Sequence, residues 1–337
     1  MILILSQASG EPTTEAVMDW LESLGASFFR LNGEDVDGDA GLRVELSGER
    51  VEIAFENGET ALPLEAVSAV WYRRWKHRER FAAVPLLPEG TPDPGRIAFK
   101  IVNNLGHEVW KVSDFLTTSL DRRPWLSHPR RDEPNKLRVL ELARRHGIET
   151  PATLVTTSRR EVERFAREHG RIITKCIGDA DYFPFEDRVY MFYTAEVGPD
   201  DLAALPDRFF PSLFQAAVDK KYELRVFYLD GACHSMAIFS QLDAQTQVDF
   251  RRYNQQRPNR TVPYRLAPEV EEKIGRLMRD LELETGSLDF MRTPDGRLVF
   301  LEVNPIGQFG MVSHPCNYFL ERKVAEALIR RAEGGAA

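Results

Sequence analysis

The chain is poor in cysteine, in long apolar runs and in excess positive charge. Only Cys176, Cys233 and Cys316 occur among 337 residues, with no metal-ligand spacing and no even-numbered framework. A disulfide scaffold and a thiolate zinc site are therefore excluded, and a reducing cytoplasm is the expected compartment. No apolar run approaches the length of a membrane span, so no membrane is expected as partner. The opening MILILSQ turns polar after five residues and has no basic leader, unlike a signal peptide. Lys plus Arg number 44 against 52 Asp plus Glu, a net charge of −8. A general nucleic-acid binder is excluded by that balance, although a local basic patch is not. Internal repeats and low-complexity segments are also missing. What remains, at 43% apolar and 28% charged residues, is an ordinary globular composition, long enough for two or three cores.

The hydropathy pattern predicts a mixed α/β chain with a first module over 1–125. Ile2 to Leu5 reads as a buried strand. Thr13 or Thr14 would cap a helix running to Leu24 and closed by Gly25, and Ala26 to Leu31 would follow as a strand. Leu42 to Phe55 alternates like a hairpin, with a partner expected near Ala61 to Leu64. Residues 85–94 hold four prolines and read as a loop. After a Pro-broken linker at 120–135, Lys136 to His146 reads as a helix closed by Gly147. Ala152 to Thr156 reads as a strand, and Ser158 with Glu161 as a capping box. Strands are expected at 171–175 and within 188–197. Tyr222 to Leu229 and Ala232 to Ser240 form a hairpin about Asp230-Gly231. Pro268 to Leu283 and Phe319 to Ala332 read as amphipathic helices.

The most specific stretch is LDFMRTPDGRLVFLEVNPIGQFG, residues 288–310. Two apolar runs flank Thr293-Pro294-Asp295-Gly296, where Pro presets φ and Gly accepts a positive one. A hairpin about this turn sets Asp289 roughly opposite Glu302. Glu302 and Asn304 share a face, because strand side chains alternate with period two. Two carboxylates and an amide oxygen on one face suit Mg²⁺, which takes a few carboxylates and completes its shell with phosphates. An amphipathic hairpin with polar residues toward water has the same pattern.

Asp289 followed by Glu302-x-Asn304 resembles the metal-binding end of the ATP-grasp fold. The longer run from Phe300 through Ile329 resembles the graspetide synthetases, the microviridin-type peptide macrocyclases, and within them the grasp-with-spasm subgroup. The resemblance implies an ATP-grasp fold behind an N-terminal pre-ATP-grasp α/β domain at 1–125, with a central subdomain over 126–212 and a C-terminal one over 213–333 that carries the Mg-ATP site. By residue, it implies that Asp289, Glu302 and Asn304 hold magnesium. It implies that Lys136, at an NKL helix start, and Lys175, at a strand end, contact the ATP phosphates, Lys175 also acting in catalysis. The backbone of Gln215, Ala217 and Val218 would read adenine, and Glu223 the ribose hydroxyls. The turn Gly307-Gln308-Phe309-Gly310 would floor the site. The cofactors implied are ATP and Mg²⁺. Generic ligases of this fold place an arginine where this chain has Ser287, which argues against small-molecule D-alanine ligation. The loop expected to cover the phosphates, 176–187, has one glycine, Gly178, so no phosphate cradle follows from it.

Arg225 lies two residues beyond Glu223, on the same strand face. From Asp249 to Arg260 the chain reads DFRRYNQQRPNR, four arginines to one acid. Guanidinium groups fork onto carboxylates, so this run suits a carboxylate-rich partner, although a solvated loop would look alike. Graspetide synthetases act on acidic core peptides, and DFR-like and PNR-like stretches resemble theirs. Arg251, as a catalytic and substrate residue, and Asn259 and Arg225, as substrate residues, are the candidates. The partner implied is a ribosomally made precursor peptide, a leader plus an acidic core containing Thr or Ser. A homodimer is left open. Trp71-Tyr72-Arg73-Arg74-Trp75 fits either a peptide-facing surface or a core with snorkelled arginines. His314 and Cys316 are too close in sequence to face one another as a nucleophile pair.

The function implied is ADP-forming carboxylate–amine/alcohol ligation. A peptide Asp or Glu is phosphorylated, then attacked by Ser, Thr or Lys to close an ester or amide ring. Two alternatives share the motifs: a ligase joining a free amino acid to a peptide or protein, and a non-catalytic nucleotide-binding regulator.

Overall fold

The computed structural model describes residues 1–36, 41–48, 50–56, 63–75, 87, 91–178, 183–185, 188–190, 192–240 and 259–334. They divide into two compact units, Met1–Pro129 with Phe319–Ala337, and Arg130–Tyr318.

The first unit is built on a parallel sheet. It starts with β1 (Ile2–Ser6), α1 (Pro12–Ser23), β2 (Phe28–Asn32), the short α2 (Gly33–Val36) and a hairpin, β3 (Gly41–Ser47) with β4 (Arg50–Glu56). It continues with β5 (Ala69–Tyr72), α3 (Pro94–Ser119) and β6 (Trp125–Leu126). The sheet order is β2-β1-β5-β6, and its central strand β1 is buried throughout, as a strand covered on both faces must be.

Local rules fix several ends differently from the sequence expectation. Helix α1 begins at Pro12, not at a threonine cap; proline suits that position because the first helical N–H needs no partner. Thr14 instead donates its hydroxyl to Glu11 at 3.1 Å. Leu64–Ala66 is a 3-10 turn rather than part of a third hairpin strand, and residues 61–62 lie outside the described ones. The long helix α3 starts just where the proline-rich loop was expected to end, because Pro94 takes its first turn behind Asp93. Trp71 and Arg73 are buried. Arg73 and Arg74 reach the buried Glu11 at 3.4 and 3.2 Å, so the aromatic-basic motif is largely core packing. Burial pulls the Arg73 guanidinium down to about 10 against the pull of Glu11.

The second unit holds a four-stranded, a five-stranded and a two-stranded antiparallel sheet. Its chain runs α4 (Lys136–Arg145), β7 (Thr153–Ser158), α5 (Arg159–His169), β8 (Ile172–Lys175), β9 (Phe183–Phe185), β10 (Arg188–Tyr190), β11 (Ala195–Glu196), α6 (Pro199–Ala204) and β12 (Arg208–Ala216). There follow β13 (Tyr222–Leu229), β14 (Ala232–Phe239), β15 (Arg260–Tyr264), α7 (Pro268–Asp280), β16 (Thr285–Arg292), β17 (Leu298–Asn304) and α8 (Gly310–Cys316). The smaller sheet has the order β11-β8-β12-β7, the larger β15-β14-β13-β16-β17. Ser158 does occupy the N-cap of α5, but its hydroxyl makes no capping bond.

Alternation on the larger sheet decides where chemistry can sit. Leu224, Val226, Tyr228, Leu288, Phe290, Phe300 and Val303 share one core with Val139, Leu142 and Ala143 of α4 and Ile274, Leu277 and Met278 of α7. The intervening residues Glu223, Arg225, Asp289, Glu302 and Asn304 are thereby turned to the other face. A final helix, α9 (Leu320–Ala332), packs on α1, β1 and β5 of the first unit.

Candidate active site

A cavity of about 560 Å³ runs along that other face and is walled opposite by the smaller sheet. Its lining includes Lys175, Gln215, Ala217, Val218, Glu223, Arg225, Asp289, Glu302 and Asn304. The volume is in the range of small-ligand sites, ~300–1,000 Å³. Ile173, Ile238 and Met291 give the cavity apolar walls suited to a flat base. Lys136 is one wall away. It lines a smaller cavity of about 170 Å³ with Gly178, and shares Glu302 and Asn304 with the larger one.

The acidic end depends on an irregularity. Arg292 pairs with Leu298 and Phe290 with Phe300, a register that would put Leu301 opposite Asp289. The register shifts there, and Asp289 pairs with Glu302, while Ser287 pairs with Asn304. Leu301 is the extra residue of a β-bulge, so Leu301 and Glu302 both line the cavity while Phe300 and Val303 stay in the core. Arg225 pairs with Asp289 across the next strand and donates Nη1 to its Oδ2 at 2.5 Å. Lys175 Nζ is 3.7 Å from Glu302 Oε2. Among the described residues no cluster of three or more His, Cys, Asp and Glu side chains forms. A soft or fully protein-coordinated ion is not what such a donor set suits. Two carboxylates and an amide oxygen beside two cations fit Mg²⁺ with phosphates completing its shell.

The lysines are placed by their elements. Asn135 caps α4, accepting from the N–H groups of Leu137 and Arg138, which leaves Lys136 at the first helical position. Its Nζ donates to the Gly178 carbonyl at 3.1 Å. Lys175 ends β8, with a side chain 16% exposed. Residues 179–182, 186 and 187 of the expected phosphate loop lie outside the described residues.

The hinge after β12 is more restricted than its sequence suggests. The N–H of Ala216 donates to Ala152 O at 3.0 Å and that of Ala217 to Arg171 O at 2.9 Å. Gln215 spends its side-chain amide on Thr153 Oγ1. Among the described residues, Val218 is left as the hinge N–H without a protein partner. Glu223 is 7% exposed. Burial pushes its carboxyl above the ordinary range, against the opposing pull of Lys220 and the Ser240 hydroxyl.

Three residues carry geometry that the motif reading gave no role. Lys220 pairs with Glu223, and Ser240 donates to it. Ser287 is fully buried, and Gly307 lies against it. A Cβ on Gly307 would stand 2.9 Å from Ser287 Cβ and 3.2 Å from Arg225 Nη2. A long side chain in place of Ser287 would meet the same crowding, consistent with the missing arginine of the generic ligases. Gly307→Ala should thus push the guanidinium off Asp289. Overpacking of this kind costs ~1–3 kcal/mol, so a lowered melting temperature and a reduced rate of ADP formation are expected together. A variant of unchanged rate would show that Arg225 does not depend on this contact.

Arg251, Arg252 and Arg257 lie outside the described residues. Asn259, just ahead of β15, is not among the residues lining either cavity. Arg260 is exposed and lies over the Phe239 ring at 5.4 Å.

A sheet-walled cleft with lysines at one end, a carboxylate-amide set on a hairpin and a hinge beyond them defines an ATP-grasp ligase. Residues 1–84 match the family model described as the MvdD pre-ATP grasp domain. The macrocyclase MdnC of Microcystis aeruginosa, solved with its precursor peptide MdnA, is 27% identical with a TM-score of 0.79, over 98% of this chain and 99% of that one. The Chryseobacterium gregarium RiPP-associated ATP-grasp ligase, solved with ADP and a leader and core peptide, is 22% identical with a TM-score of 0.83, over 100% and 97%. The ATP-grasp ligase PsnB, solved with a precursor variant, Mg and ADP, is 18% identical with a TM-score of 0.72, over 98% of each chain. No curated protein sequence matches the chain. Along its whole length the chain is thus similar to ATP-grasp macrocyclases and RiPP-associated ligases.

Proposed function

We propose that this chain is an ATP- and Mg²⁺-dependent peptide macrocyclase, an ADP-forming ligase acting on a ribosomally made precursor peptide. The observation that carries the proposal is the single cavity holding Asp289, Glu302, Asn304, Lys175 and Glu223 on facing walls. Its similarity over the full chain to a macrocyclase solved with its precursor supports the peptide as substrate.

The chemistry has two steps. A carboxylate oxygen of a peptide Asp or Glu attacks the γ-phosphorus of ATP, giving an acyl phosphate and ADP. A Ser or Thr hydroxyl, or a Lys amine, of the same peptide then attacks the acyl carbon. Inorganic phosphate leaves, a proton is released, and an ester or amide ring closes. Mg²⁺ bound at Asp289, Glu302 and Asn304 supplies charge neutralisation at the phosphates during transfer. Lys175 and Lys136 hold the phosphate oxygens, and Val218 and Glu223 hold the nucleoside. Arg225, tied to Asp289, offers its remaining guanidinium edge to the reacting carboxylate. Tethering of nucleophile and electrophile in one peptide supplies further rate.

The acidic, Thr/Ser-containing core is the finer part of the proposal. An acidic peptide meeting a chain of charge −8 needs a local positive face, and 249–260 offers four arginines to one acid. Arg251→Ala should impair ring closure, read as loss of one water per ring in mass spectrometry, while ATP affinity stays within about twofold. Normal ring formation in that variant would remove Arg251 from the substrate side. The function itself is tested by incubating the enzyme with ATP, Mg²⁺ and acidic precursor peptides. Peptide-dependent ADP release with water loss is expected. Mass gain by an added amino acid would show instead a ligase for free amino acids.

A further inference from the structure

Glu223 is held asymmetrically. Its Oε1 accepts from Ser240 Oγ at 2.8 Å and also from Lys220 Nζ. Among the described residues its Oε2 accepts no hydrogen bond, and the residue lines the cavity. Both donors are themselves enclosed: Ser240 is fully buried, and the Lys220 side chain is 4% exposed. They reach Glu223 from neighbouring strands at the same end of the sheet, Lys220 from the hinge before β13 and Ser240 from just past the end of β14.

A buried carboxylate with one oxygen doubly bonded cannot rotate freely. Turning it about its terminal torsion would break two charge-assisted bonds to bring the other oxygen round. The remaining oxygen therefore presents a fixed acceptor direction to whatever lies in the cavity. It can accept from a hydroxyl, and it leaves a buried acceptor unpaired if the ligand lacks one. A site built to bond a hydroxyl rejects the analogue lacking it far more strongly than an apolar pocket rejects a missing methylene.

We propose that Lys220 and Ser240 are positioning residues that fix Glu223 as a selector for a ribose diol. The proposal rests on the nucleotide reading of this cavity and adds its sugar specificity. The test is calorimetric binding of ATP and of 2′,3′-dideoxy-ATP, without peptide, to the full chain. The parent enzyme should prefer ATP by about ten- to hundredfold, the range of one hydrogen bond to a charged group. Ser240→Ala should lose most of that preference by weakening ATP binding about tenfold, while dideoxy-ATP binding stays unchanged. A role in folding alone would weaken both nucleotides together. Lys220→Gln acts on the other side of the same oxygen and should erode the preference in the same direction, which keeps the test open if the Ser240 variant does not fold. Equal affinity of the parent for both nucleotides, or a parallel loss of both in the variants, overturns the proposal. Failure of the parent to bind either nucleotide overturns the nucleotide reading itself.

Discussion

Glu302→Gln should reduce ADP formation by at least about a thousandfold, with the fold retained. The substitution keeps the size of the side chain and removes one of the two carboxylates that face each other across the bulge. A metal ion bridging phosphates contributes several kcal/mol to phosphoryl transfer, and ~4 kcal/mol corresponds to three decades in rate. Stability should change little, because the side chain is 29% exposed and its ion pair with Lys175 is long at 3.7 Å. The measurement is ADP release at saturating magnesium beside a circular-dichroism melt. Turnover like that of the parent would remove the metal from this hairpin.

Lys175→Met should weaken nucleotide binding and slow the transfer step. Methionine keeps most of the apolar stem, so lost packing at this largely buried position is small. What is lost is an ammonium aimed from the end of β8 toward Glu302 and the acidic end of the cavity. Hydrogen bonds to charged groups are worth ~1.5–3 kcal/mol, so affinity for ATP should fall about ten- to hundredfold. Lys136→Met should act in the same direction from the neighbouring cavity, where the ammonium already serves the Gly178 carbonyl. Calorimetry on both variants decides. Unchanged affinity together with unchanged turnover would show that neither lysine meets phosphate.

Much of this site was legible in the sequence because its signals are local. The turn at Thr293 to Gly296 needs particular residues at particular positions, and two-residue periodicity then puts Glu302 and Asn304 on one face. The Asn135 cap fixes Lys136 in the same local way. What was not legible depends on tertiary partners. The amphipathic pattern of Leu320–Ala332 shows that one face must be covered, but not that α1, β1 and β5 cover it. The hinge reads as four backbone groups until neighbouring strands claim the N–H groups of Ala216 and Ala217. Lys220 and Ser240 are 20 residues apart in the chain. They meet at one oxygen only because β13 and β14 pair in a particular register. The helix at Pro94–Ser119 was masked by the prolines before it, which mark a boundary without showing which side holds the helix.

The bulge at Leu301 makes the acidic end of the cavity a matter of register. Off the bulge, a one-residue change on one strand exchanges the faces of everything beyond it, and the bulge is where such a change is absorbed. Removing Leu301 would close the bulge with Glu302 still opposite Asp289, whereas removing Val303 would carry Asn304 toward the core, although no cavity residue had been altered. Shortening the hairpin by a matched pair, one residue from each strand, would preserve the facing of Asp289 and Glu302. A single deletion should therefore be tolerated at Leu301 and not elsewhere between the turn and Asn304. Chains that share this site should differ there by balanced steps, with single-residue differences confined to the bulge.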